Sequence, residues 1–182
     1  MMMRKAFVLG SFLLLAVLLP TACTSDESSV SSTDLYAIIK PEGAMLYDII
    51  PSDYVLTLDN IIAVNPETGE FKMKNTEQID SKAYPIPVQY EICFHSNGQF
   101  LFSAKLNSSL SSYLPSGLTF CHFLTDKNGQ ARYDLGATRL IQEDGAVDGN
   151  PTDQQAQGIE KMYDILKKAG KVRYSIDYDF QY

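Results

Sequence analysis

The stretch Pro87–Leu106, PVQYEICFHSNGQFLFSAKL, decides the fold class. Val88, Tyr90, Ile92 and Phe94 recur at every second position, and so do Phe100, Phe102, Ala104 and Leu106. A period of two places each set on one face of a strand. Asn97-Gly98 lies between the sets, the dipeptide that most readily takes the positive φ values of a tight hairpin. The segment predicts two antiparallel strands with an apolar face turned inward.

The same chemistry recurs on both sides. In YVLTLDNIIAVNPETGEFKMKN (54–75) two apolar runs flank Asn65-Pro66-Glu67-Thr68-Gly69, where proline presets φ and glycine permits the left-handed closing residue. In LTFCHFLTDKNGQARYDLG (118–136) the turn falls at Asn128-Gly129. Three hairpins in so short a span predict antiparallel sheets packed as a sandwich of two layers.

The end of the chain changes period. Asn150 and Pro151 read as N-cap and first helical residue. Ile159, Met162, Tyr163, Leu166 and Ala169 then line one helix face, and Gly170 closes it. Afterwards VRYSIDYDFQY (172–182) alternates without a break, which predicts a final strand. The expected class is α+β, mainly β, with one C-terminal amphipathic helix and a last strand.

The start of the chain has another purpose. Arg4 and Lys5 precede an uncharged run from Ala6 to Pro20, fifteen residues long. About 20 apolar residues are needed to cross a bilayer, and a helix packed on a core carries a polar face that this run lacks. A short positive start, a short apolar core and then small residues form a secretory signal peptide. The expected organisation is a signal peptide at 1–22, a flexible Ser-rich tether at 23–33 and one β-rich globular domain at 34–182.

The junction LLPTAC, followed by the polar TSDESSVSST, resembles the lipobox of bacterial lipoproteins. That resemblance implies that the thiol of Cys23 is acylated and becomes the new N-terminus. Pro20 stands where leucine is usual, with Leu19 one place back, and the competing route is ordinary cleavage after Ala22. Several acyl chains, palmitate among them, at about 0.8 kcal/mol per buried methylene would anchor the domain without a spanning helix. Thr24 stands where an aspartate would resemble the inner-membrane retention signal, which points to the outer membrane; Asp26-Glu27 resembles a cell-surface export tether. The NPETGEFKMKN and LKKAGKVRYSIDYDF segments resemble uncharacterised lipoprotein families of Gram-negative bacteria. TDKNGQARYDL is similar to a hairpin of bacterial immunoglobulin-like domains. Neither resemblance implies an activity.

Charge narrows the partners. The chain carries a net −7, and loss of Arg4 and Lys5 with the leader takes it to −9. Such a surface disfavours nucleic acid, whose binding rests on cationic neutralisation of phosphates. With Cys23 used for lipid, Cys93 and Cys121 remain, an even pair in an oxidising compartment. They read as a disulfide or as two buried thiols. With His95 and His122 they match a zinc site by residue type. Cys121 and His122 are adjacent, however, and point to opposite strand faces, so four ligands cannot converge and no metal is expected. A cysteine nucleophile is disfavoured too, since neither thiol sits at a helix N-terminus.

Asp144, Asp148, Asn150 and Asp153 give an oxygen-rich loop without the EF-hand spacing, read as solvated rather than calcium-binding. Asp177 and Asp179 lie one strand repeat apart, the spacing of a glycosidase carboxylate pair. Serine-hydrolase, phosphate-loop and dinucleotide motifs are absent from the sequence. Eleven tyrosines without a tryptophan fit core packing better than a sugar platform. The reading is a lipid-anchored envelope protein with a binding or structural role and no cofactor. Its partners would be the membrane through its anchor and an envelope protein or glycan. An acidic glycan- or peptidoglycan-acting enzyme and a small-molecule carrier are the alternatives.

Overall fold

The computed structural model describes residues 30–46, 48–83, 88–111, 115–138, 140–142, 145–147 and 150–179. The leader, Cys23 and most of the tether lie outside them. Among the described residues are ten strands and two α-helices: β1 (Tyr36–Pro41), β2 (Leu56–Thr57), β3 (Ile61–Asn65), β4 (Glu70–Lys74), α1 (Glu77–Ala83), β5 (Tyr90–Ser96), β6 (Gln99–Ser108), β7 (Gly117–Thr125), β8 (Gln130–Thr138), β9 (Leu140–Gln142), β10 (Gly145–Val147) and α2 (Asp153–Lys168).

All three predicted hairpins form. Asn97 (φ 48°) and Gly98 (φ 77°) both take the left-handed region between β5 and β6. At the β3–β4 turn, a Cβ on Gly69 would lie 2.0 Å from the carbonyl oxygen of Leu135, so only glycine fits. The β7–β8 turn is held by Asp126, whose Oδ1 accepts from the amides of Asn128 (2.8 Å) and Gln130 (2.9 Å).

The expectation of antiparallel pairing throughout is corrected. Eight strands form one mixed sheet in the order β2-β1-β5-β6-β7-β8-β4-β3, with β9 and β10 as a separate two-stranded ribbon. β6 and β7 pair in parallel, from Lys105↔Thr119 to Ser108↔His122. A parallel neighbour normally needs a crossover of a dozen residues or more. Here eight residues, 109–116, link Ser108 to Gly117.

The outermost strands, β2 and β3, are separated in sequence only by Leu58–Asn60. Eight flat strands would span about 34 Å at roughly 4.8 Å per neighbour, whereas three residues reach about 11 Å at most. The sheet therefore curls until its edges approach each other. The joining 3-10 turn is pinned on both sides. The Leu58 amide donates to the carbonyl of Ser32 (3.1 Å), just ahead of β1, and Asn60 Nδ2 donates to the carbonyl of Lys74 (3.3 Å) at the end of β4. Val30 packs against the core and the amide of Ser31 donates to Asp34, so residues 30–33, expected in the tether, join the folded body.

Inside the curl lie Ile92, Phe94, Phe102, Ala104, Leu106, Phe120, Phe71, Met73 and Tyr133, all essentially inaccessible. Their rings interlock: Phe94 stacks on Phe102 at 4.8 Å, and Phe120 meets Phe71 and Phe94 edge-on at 5.5 and 5.7 Å. α2 contributes buried Met162 and Leu166, with Ile159, Tyr163 and Ala169 partly buried beside them, as the helix face predicted. α1 went unforeseen, because seven residues are too few to reveal a helical period.

Two expectations about the C-terminal region fail. The cap of α2 is Thr152, not Asn150: Thr152 Oγ1 accepts from the Gln155 amide (3.3 Å) while Gln155 Oε1 accepts from the Thr152 amide (3.0 Å). This reciprocal box satisfies two backbone donors where a single asparagine satisfies one. The predicted last strand is also absent. Val172 makes one parallel bridge to Val64, and 173–179 is not a strand. The Val64 amide donates to the carbonyl of Lys171 (2.9 Å), and the Val64 carbonyl accepts from the amide of Arg173 (2.8 Å). The next outward position is Pro66, which has no N–H, so the ladder stops. Residues 180–182 lie outside the described set.

Gly158 sets the distance between α2 and β6. A Cβ there would lie 2.4 Å from the carbonyl oxygen of Leu101, a backbone atom that cannot turn aside. Gly158→Ala is expected to cost about 2 kcal/mol through overpacking, despite alanine's better helix propensity. Urea unfolding checks this; an unchanged or raised midpoint would mean that the helix is not seated so closely.

Candidate binding edge

β2 covers β1 only at Tyr36 and Ala37. Upstream of Leu56 the chain turns away: Pro51–Asp53 forms a 3-10 turn in which Asp53 Oδ2 accepts from the Ile50 amide (3.1 Å). Tyr54 then stacks on Tyr36 with ring centroids 4.0 Å apart. No described strand lies beyond Ile38–Pro41. The direction of the free backbone groups follows from the pairing on either side. Ala37 offers its carbonyl to Val55 (2.9 Å), outward from the sheet, and the Glu42 amide bonds Gln89 (2.9 Å), inward toward β5. Strand alternation then turns the N–H and C=O of Ile38 and Lys40 toward β5 and those of Ile39 toward the open edge. The carbonyl of Pro41 is taken by the Ala44 amide (3.1 Å), so the edge ends there.

Two clefts flank this edge and share Ile39. The first, about 380 Å³, lies against the 44–53 loop and is lined by Ile38, Lys40, Met45, Leu46, Asp48 and Asp53 among others. The second, about 320 Å³, lies against α1 and is lined by Ile39, Val55, Gln78, Ser81, Lys82 and Tyr90. The loop holds apolar side chains out in water: Met45 is 82% exposed, Ile50 57% and Leu46 40%. Three such residues beside an open backbone edge form a patch of the kind found at interaction sites.

Charge at the edge is uneven. Lys40 is held by Glu91 at 2.7 Å and Lys105 by Glu42 at 2.9 Å. Lys82 lies over the ring of Tyr90, 4.8 Å from its centroid. Asp48 and Asp53 carry no ion pair among the described residues. The loop-side cleft is thus apolar with an acidic rim, and the α1-side cleft has a cationic rim.

The residues singled out from sequence are not gathered here. Cys93 pairs with Ser103 and Cys121 with Asn107, with β6 between them and four residues apart along it. That offset is about 13 Å along the strand, beyond the reach of a disulfide, and both thiols are free. Burial pushes the Cys93 thiol up to about 11 and raises that of Cys121, with Asp134 adding to the latter, so neither is poised as a nucleophile. His95 Nδ1 lies 3.2 Å from the carbonyl of Cys93, and its ring stacks under Tyr36. His122 is on the other face, against Tyr133, with Nε2 3.1 Å from Thr125 Oγ1. Among the described residues no three His, Cys, Asp or Glu side chains group as a metal site.

Asp179 pairs with Lys127 at 2.8 Å and the backbone carbonyl of Asp177 accepts from Lys72, which ties the C-terminal segment to the β7–β8 turn and to β4. Asp144 and Asp148 fall outside the described residues. Among those described, no helix is long and apolar enough to cross a membrane. No protein-family model, curated protein or solved structure matches the chain.

Burial lowers the pKa of both histidines, against a smaller opposing effect of the Cys93 carbonyl on His95 and of Asp80 on His122. Each is neutral in the folded chain at a pH where the unfolded chain, titrating near 6.5, already takes up a proton. Stability is therefore retained above that value and lost as the pH falls below it. Chemical unfolding between about pH 7 and pH 5, above the carboxylate range, is expected to show a falling midpoint. The slope should flatten in a His95→Gln, His122→Gln variant; an unchanged slope would place its origin elsewhere.

Proposed function

We propose that the chain is a lipoprotein of the bacterial envelope, anchored to the outer membrane through acylated Cys23, whose folded domain binds a partner through the open edge of β1. The anchor rests on the uncharged leader, the LLPTAC junction and the polar segment behind it. The binding role rests on one observation: the edge at Ile39 is unpaired, lies between two clefts and is bordered by exposed Met45, Leu46 and Ile50. A catalytic role has weaker support, because the Asp179 carboxylate is ion-paired with Lys127 and burial raises the pKa of both thiols.

Cys23→Ser is expected to move the protein from the membrane fraction to the soluble fraction. Retention of that variant in high salt would contradict the anchor. A photo-crosslinking residue at Met45 in the intact envelope is expected to capture a defined partner. The same probe at Tyr174, 69% exposed on the C-terminal segment, serves as the control. Equal labelling at both sites would contradict binding at the edge.

A further inference from the structure

Resting on the binding-edge reading, we propose that the occupant is an extended peptide that adds to β1 as a short antiparallel strand. An aliphatic side chain would enter the α1-side cleft and basic side chains on either side would enter the loop-side cleft. The backbone argument comes first. Ile39 presents one N–H and one C=O outward, and a single peptide residue in antiparallel register satisfies both. Antiparallel is the direction that β2 already takes along the same edge.

Side-chain alternation then assigns the clefts. A peptide residue exchanging both hydrogen bonds with Ile39 points to the same sheet face as Ile39, toward Val55, Gln78, Ser81 and Tyr90. Its two neighbours point to the face of Ile38 and Lys40, toward Met45, Leu46, Asp48 and Asp53. Two clefts on opposite faces that share one edge residue are the arrangement in which main-chain bonds hold a peptide and pockets for alternate side chains select it.

Charge sets the chemistry. In the loop-side cleft Lys40 is already tied to Glu91, which leaves Asp48 and Asp53 to attract a cation over apolar walls. A lysine or arginine meets both demands, since its stem covers Met45 and Leu46 while its head reaches the carboxylates. In the α1-side cleft Lys82 at the rim repels a cation, so valine or isoleucine is favoured there. The edge is short, because Pro41 and its turn to Ala44 close one end and β2 the other, so the occupant pairs over three or four residues.

The test uses the full mature chain and the labelled peptide acetyl-Thr-Lys-Val-Lys-Thr-amide, followed by fluorescence anisotropy. Methylating the amide nitrogen of the central valine removes the donor to Ile39 and is expected to weaken binding about tenfold. Replacing both lysines by glutamate is expected to weaken it at least as much. An Asp48→Asn, Asp53→Asn variant keeps the cap of the 3-10 turn and should abolish the preference for lysine. Indifference to N-methylation would overturn the strand mode, and indifference to lysine or glutamate would overturn the assignment of basic side chains. Failure of every peptide would overturn the proposal, as would concentration-dependent dimers that the peptide does not dissolve. Continued capture at Met45 in the envelope separates a wrong occupant from a wrong site.

Discussion

Leu58–Asn60 is the constraint on which the rest depends. Three residues join the two outermost strands of an eight-stranded sheet, so the sheet has to curl. Curling turns one face into a concave wall. There the Phe71, Phe94, Phe102, Phe120 and Tyr133 rings meet, and α2 closes it through Met162, Leu166 and the close approach at Gly158. Leu58 is buried at the joint, and the turn is bonded to the chain on both sides.

The open edge follows from how β2 is entered. A strand that paired along all of β1 would need residues 52–55 extended. Instead Pro51 starts a 3-10 turn and Tyr54 stacks on Tyr36, over His95. That stack helps bury Cys93 and His95 on the face away from the main core, so β5 is covered on both sides near its end. The interactions that bury this second face are those that leave Ile39 without a strand partner. Stability and the candidate site share one segment.

How much was legible depended on whether the information was local. Asn97-Gly98, Gly69 and Asn128-Gly129 encode their turns in neighbouring residues, and those hairpins form as read. The face of α2 was legible for the same reason. The parallel pairing of β6 with β7 was not, because alternation marks a strand without naming its neighbour. The 172–182 segment makes the point most sharply. Its alternation describes an amphipathic extended chain, yet a strand also needs a row of donors beside it, and Pro66 removes the next one. The binding edge was illegible because it is the absence of a neighbour, and nothing within IIKP (38–41) distinguishes a paired strand from an unpaired one. Cys93 and Cys121 misled in the opposite way: even parity invited a bond that the four-residue offset along β6 forbids.

The most direct measurement is residue-resolved amide hydrogen exchange across β1. With Ile38 and Lys40 bonded to β5 and Ile39 turned outward, the account predicts that the Ile39 amide exchanges far faster than its two neighbours and slows once a partner occupies the edge. An Ile39 amide as protected as those of Ile38 and Lys40 in the free chain would mean that something already covers the edge, and would contradict the account.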